Sequence, residues 1–174
     1  MKLDQDFFPI NLKTWLADNR HLLKPPVGNR QIWENREFMV TAVGGPNSRS
    51  DFHINEGEEF FYQIEGDITL RTLDRSGQIR NVLIQEGDIY LLPPKIPHSP
   101  QRPAGTIGLV LERRRLPHEL DGFAWFCQDC GNKLYEEYLH ITNIVTQLSP
   151  VFDRFYGNSA NTICKNCGTR AQEN

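Results

Sequence analysis

What this 174-residue sequence lacks closes off several classes of protein at once. No stretch approaches the roughly 18 apolar residues that cross a bilayer, and Met1-Lys2-Leu3-Asp4-Gln5-Asp6 carries no apolar leader run, so a soluble cytoplasmic protein with no membrane partner is the expectation. Basic excess is missing too. Nineteen Lys and Arg stand against 22 Asp and Glu, and without concentrated positive charge nucleic acid is not an expected partner. Repeats and low-complexity tracts are absent. The four cysteines are few and all lie after residue 126, which in a reducing compartment points to metal rather than a disulfide framework.

What is present is concentrated in three stretches: Gly45 to His53, Glu58-Glu59-Phe60-Phe61, and Gly87-Asp88 through Pro93-Pro94 to His98. Two imidazoles and one carboxylate make the ligand set that leaves half of an octahedral Fe(II) open for substrate and dioxygen. Asp51 and His53 are two apart and share one face of an extended strand, and Glu59 follows at another even step after the turn-like Ile54-Asn55-Glu56-Gly57. Prolines 93, 94 and 97 stiffen the approach to His98. Apolar neighbours, Phe60-Phe61-Tyr62 and Leu91-Leu92, place these polar groups inside a packed body, where unpaired they would be costly. His53, Glu59 and His98 are therefore the candidate metal ligands. Glu58 also fits the spacing after His53 and remains the alternative carboxylate.

Asn11 can cap a helix whose apolar residues Leu12, Trp15, Leu16 and Leu22-Leu23 recur near helical spacing, and Pro25-Pro26 ends it. Beyond it the pattern is strand: Phe38 to Val43, Phe60 to Leu73, Gln78 to Ile84, Ile89 to Leu92 and Thr106 to Glu112, with Asp74-Arg75-Ser76-Gly77 as a hairpin turn. Short strands parted by turns predict a mainly β sandwich or closed barrel. Three segments follow: 1–34 as an N-terminal helix and loop, 35–120 as the barrel, and 121–174 as a small appendage. Arg114 and Arg115 read as a solvated turn. In the appendage, Lys133 to Ile141 reads as a strand and Asn143 to Tyr156 as a helix that Pro150 kinks or interrupts.

Cys127-x-x-Cys130 and Cys164-x-x-Cys167 are two knuckles, each followed by a glycine, and four thiolates suit a tetrahedral zinc or iron ion. A redox pair or two disulfides are the competing readings. A closed four-sulfur shell leaves no position for substrate, so its expected role is structural.

The spacing of Gly45, Asp51, His53, Glu59 and Gly66, then Gly87, Pro93 and His98, resembles the two cupin motifs, with Asp51 where one family histidine would stand. Longer strings, Leu22 to Asn29, Gly44-Gly45-Pro46-Asn47, Glu58 to Gln63 and Leu91 through His98 to Pro103, resemble the 3-hydroxyanthranilate 3,4-dioxygenase family over nearly the whole chain. The resemblance implies a cupin (double-stranded β-helix, jelly-roll) barrel and a homodimeric Fe(II) enzyme. That enzyme would open the ring of 3-hydroxyanthranilate with O2, giving 2-amino-3-carboxymuconate semialdehyde, a quinolinate and NAD precursor from tryptophan through the kynurenine pathway. It also implies a rubredoxin-like ion, Fe or Zn, at the four cysteines. By position it makes His53, Glu59 and His98 the iron ligands and Arg49, Arg102 and Glu112 the substrate-contacting residues, with Arg49 and Glu112 as catalytic groups. Arg102 is the candidate carboxylate clamp, because a guanidinium matches a carboxylate with two parallel bonds. Glu112 would accept the substrate hydroxyl proton; the alternative is an exposed strand-end carboxylate paired with Arg113. Val27 and Asn29 would line the pocket, and Asp51 would orient a ligand or an arginine from behind. Another small-molecule cupin dioxygenase and a non-catalytic metal-binding cupin are the rival readings.

Overall fold

The computed structural model describes residues 8–25, 28–142 and 144–172. Two antiparallel sheets, β1-β2-β9-β4-β7 and β11-β10-β3-β8-β5-β6, enclose a common interior as a cupin barrel. The strands are β1 Asn29–Gln31, β2 Phe38–Gly44, β3 Phe52–Ile54, β4 Glu59–Glu65, β5 Ile68–Leu73, β6 Ile79–Ile84, β7 Ile89–Leu92, β8 His98–Gln101, β9 Ile107–Arg113, β10 Asp121–Phe126 and β11 Lys133–Leu139. Alternation along β4 and β5 sends Phe61, Ile68 and Leu70 inward to meet Ile84 and Leu92 between the sheets. Each such burial contributes roughly 1.5–3 kcal/mol.

The helix α1, Leu12–Asn19, starts as its sequence dictates, with Asn11 Oδ1 accepting from the Thr14 amide at 3.0 Å. Its Leu16, with Leu23, packs on Ala42, Ile107 and Leu109 and so covers part of the five-stranded sheet. The outer residues Phe38, Tyr62, Ile89 and Leu91 of that sheet stay exposed.

Three expectations change. The single strand read over Phe60 to Leu73 is two strands in different sheets, because the chain turns at Gly66 with φ 63°. Strands β8 and β10 escaped the pattern: Pro100 sits within β8, and all six residues of β10 are buried, so no alternation marks it. Helix α2, Ile144–Tyr156, continues through Pro150. An interior proline costs about 3 kcal/mol. Val151 and Phe155, fully buried against Phe123 and Trp125, offset it with about 1.5–3 kcal/mol each.

Strand β10 pairs with β3, setting Phe123 opposite His53, so chain beyond residue 120 walls the barrel interior directly. A short helix, α3 Ser159–Thr162, leads to the second pair of cysteines.

Candidate active site

Register brings the chemistry together. His53 on β3 pairs with His98 on β8, while Glu59 on β4 pairs with Glu112 on β9 in the other sheet. One ligand atom each from His53, Glu59 and His98 lies within 4.8 Å of the other two, and all three residues are buried. Glu59 Oε2 is 3.0 Å from His98 Nε2, and Glu59 Oε1 is 3.6 Å from His53 Nδ1. Glu58 is exposed, so the parity argument for Glu59 is the one the strand follows.

Each ligand is held from behind. His53 Nε2 meets Asp121 Oδ1 at 2.7 Å, His98 Nδ1 meets the Ile96 carbonyl at 3.0 Å, and Phe123 stacks on the His53 ring. A carboxylate or carbonyl on the far nitrogen fixes both the tautomer and the ring plane of a metal-binding histidine. Burial opposes charge on Glu59, yet the two imidazoles and the Asn55 amide hold its pKa far below the ordinary carboxylate value. Burial lowers the His53 pKa. At His98 burial is outweighed by Glu59, and the pKa rises. Three buried donors, each with a ligand atom within 4.8 Å of the other two, fit a divalent transition metal of the two-His, one-carboxylate type.

Around this cluster runs a charged ring. Glu112 accepts from Asn55 Nδ2 at 2.8 Å and pairs with Arg115 at 2.9 Å, and Arg115 in turn grips Asp121 at 2.7 Å. Burial and the Glu59 charge raise the Glu112 pKa to about 7, against the pull of Arg115. The partner of Glu112 is thus Arg115. Arg113 pairs with Glu119. Arg115, read from sequence as solvated, is only 11% exposed in its side chain. It and Asp121 are members of the site's charged ring that the sequence did not point to. The signal for Asp121 is a carboxylate opening the apolar run Phe123-Ala124-Trp125-Phe126.

Arg49 lies on the loop before β3, with its Nε donating to Asp51 Oδ1 at 3.0 Å and its terminal nitrogen paired to the other oxygen. Asp51, fully buried, thereby holds an arginine, one of its two anticipated tasks. Arg49 is near enough to the cluster for the Glu59 charge to act on it.

Arg102, four residues after His98, is 4% exposed, and backbone bonds to Asn47 tie it to the Arg49 loop. Among the described residues no carboxylate pairs with it. Among those residues its Nε also has no hydrogen-bond partner, and its Nη1 reaches the Gln63 amide oxygen at a long 3.3 Å. Burial depresses its pKa to about 10, which leaves it charged at neutral pH. Asn29 opens β1 in an exposed position, paired with Val43 of β2, and Val27 lies outside the described residues.

The four thiols form the second cluster. All four sulfurs lie within 4.8 Å of one another, and Cys127 to Cys167 and Cys130 to Cys164 are each 3.5 Å apart, too far for a disulfide. The two knuckles repeat one geometry: Gly131 and Gly168, at φ 71° and 78°, return their amides to the carbonyls of Cys127 and Cys164. Thr169 lowers the Cys167 thiol pKa to about 6, while burial raises that of Cys127 to about 11. Four converging sulfurs fit a tetrahedral ion.

Residues 5–156 match the sequence profile of the 3-hydroxyanthranilic acid dioxygenase family. A Xanthomonas euvesicatoria pv. vesicatoria protein described as 3-hydroxyanthranilate 3,4-dioxygenase is 52% identical over 92% of this chain and 90% of its own length. A Ruegeria pomeroyi protein of the same description is 48% identical over 91% of this chain and 88% of its own. Among solved structures, a cupin-2 domain protein from Shewanella frigidimarina is 20% identical and covers 57% of this chain and 92% of its own, with a TM-score of 0.48. On a match that runs through both cupin motifs and every member of the buried cluster, this chain belongs to the 3-hydroxyanthranilic acid dioxygenase family, and it is an oxidoreductase.

Proposed function

We propose that the chain opens the ring of 3-hydroxyanthranilate with O2, using Fe(II) held by His53, Glu59 and His98. The product is 2-amino-3-carboxymuconate semialdehyde, both oxygen atoms entering it, and it cyclises to quinolinate on the route from tryptophan to NAD. The observation that carries this reading is Arg102, a buried guanidinium on the segment that also delivers His98, with no anionic partner among the described residues. A buried charge needs an opposite one, and a substrate carboxylate supplies it. Iron, when bound, supplies a common site for the aminophenol and dioxygen and a path for electrons between them.

The protein's own residues do the rest. Arg102 grips the carboxylate and so fixes the ring relative to the ligand cluster. Glu112, with its pKa near 7, takes the proton from the 3-hydroxyl, and Arg115 then stabilises the state in which Glu112 gives it up again. Arg49, steadied by Asp51, presents positive charge to the developing negative charge on the substrate. The barrel wall of Phe61, Phe123 and Leu92 excludes water.

Anaerobic loading with Fe(II), followed by oxygen uptake on addition of 3-hydroxyanthranilate, tests this. One O2 consumed per ring opened is the expected result. Uptake absent at full iron occupancy, or equal uptake with an unrelated thiol substrate, contradicts it. Metal analysis of the same preparation should find a second ion, iron or zinc, that survives mild chelation at the four cysteines. Loss of that ion with ring-opening intact supports a structural role, whereas loss of both with the fold preserved opposes it.

No helix among the described residues is long and apolar enough to cross a membrane, and a cytoplasmic location is part of the same proposal. So is a homodimer. The exposed Phe38 and Leu91 of the five-stranded sheet border a groove of about 450 Å³, and together with the exposed Ile89 of the same sheet they give a second copy an apolar patch to cover. Sedimentation as a monomer at micromolar concentration would contradict the dimer.

A further inference from the structure

Gln63 is 1% exposed, lies on β4 four residues after Glu59, and shares the inward parity of Glu59 and Phe61. Its backbone is anchored to the turn before β7, the amide donating to the Asp88 carbonyl and the carbonyl accepting from the Gly87 amide. Its side chain is oriented as well. Nε2 donates to the Glu65 carbonyl at 3.0 Å, where the register between β4 and β9 shifts, and this leaves Oε1 as the face turned to Arg102.

The partner of Gln63 in the neighbouring strand is Gly108. A β-carbon there would lie 2.7 Å from Gln63 Oε1 and 3.1 Å from Arg102 Nη1, so any side chain would push into the contact between the two. The missing side chain opens a slot that the amide and the guanidinium occupy together.

The chemistry of the pairing matters more than its strength. A buried arginine is ordinarily neutralised by a carboxylate, and glutamate in place of glutamine would do so here without any change of size. The amide supplies an acceptor that aims the guanidinium while leaving its charge uncompensated. We propose that Gln63, in the slot opened by Gly108, is a specificity-determining residue: it positions Arg102 and reserves its charge for the substrate's carboxylate. This rests on the reading of Arg102 as the carboxylate clamp.

Gln63→Glu closes the ion pair inside the protein and makes the pocket reject an anion, a repulsive element of the kind that specificity switches use. Kd would be measured anaerobically on Fe(II)-loaded protein, and KM in air, for 3-hydroxyanthranilate and for 2-aminophenol, which has no carboxylate. The expected result is at least about a tenfold loss for 3-hydroxyanthranilate with 2-aminophenol changed by less than about twofold. Equal losses for both compounds, or an unchanged preference for 3-hydroxyanthranilate, overturn the proposal. Should the glutamate variant not fold, Gln63→Met decides. It removes the acceptor without adding charge, and should weaken 3-hydroxyanthranilate severalfold while sparing 2-aminophenol; full retention of the preference overturns the proposal. Arg102→Leu in the same series separates the two layers. If it leaves the preference intact, the clamp itself is wrong, whereas if it abolishes the preference and the Gln63 variants do not, only the role of Gln63 falls.

Discussion

Arg102→Ala lowers kcat/KM for 3-hydroxyanthranilate by about 2–5 kcal/mol, the scale for removing one side of a desolvated charge pair. The size follows from where the residue sits. An exposed arginine would contribute at most about 1 kcal/mol to binding a carboxylate, because water already solvates both partners. Arg102 is 4% exposed, and its Nε has no hydrogen-bond partner among the described residues. Its desolvation is already spent in the folded state, and a carboxylate entering the pocket recovers it. Alanine strands that carboxylate in a dry interior. Arg102→Lys keeps the charge and loses the planar fork, so it should weaken binding and spare much of the chemical step. 2-Aminophenol is the control, since it gains nothing from the guanidinium. With iron content unchanged, a loss as severe for 2-aminophenol as for 3-hydroxyanthranilate would make Arg102 a structural partner and end the clamp assignment.

Glu59→Ala empties the catalytic metal site and Glu58→Ala leaves it full. Adjacent residues on a strand point to opposite faces, and here one carboxylate is 5% exposed between two imidazoles while the other stands in solvent. Losing a direct ligand should weaken iron binding by more than the 10–100-fold that changes behind a ligand typically cost, so about a hundredfold or beyond. Asp121→Asn, which acts only through His53, should fall within that smaller range. Metal analysis after equilibrium dialysis reads all three. Retained iron in Glu59→Ala, with loss in Glu58→Ala, reverses the assignment.

The buried approach of His53 to Glu59 was legible because strand parity and turn composition are local properties. Asp51, His53 and Glu59 sit at even steps, and the structure buries all three. The four-cysteine cluster was legible from another local feature, two Cys-x-x-Cys pairs each followed by a glycine. The ring around the cluster was not. Asp121 reaches His53 across 68 residues of sequence through the β3–β10 pairing, and β10 itself carries no alternation because both of its faces are covered. Arg115 looked like a solvated turn because its neighbours Arg113 and Arg114 are charged. Only the fold shows that it turns inward to join Glu112 and Asp121. Pairing at long range, and the lack of a carboxylate beside Arg102 among the described residues, are properties of the tertiary structure that no window of sequence contains.

The most direct test of the site is a crystal structure of the Fe(II) protein with 3-hydroxyanthranilate, prepared without oxygen. The account predicts iron bonded to His53, Glu59 and His98, the aminophenol oxygen and nitrogen facing that iron, and the carboxylate in a two-bond contact with Arg102. Iron found only among the four cysteines, or a substrate carboxylate lying away from Arg102, would contradict it.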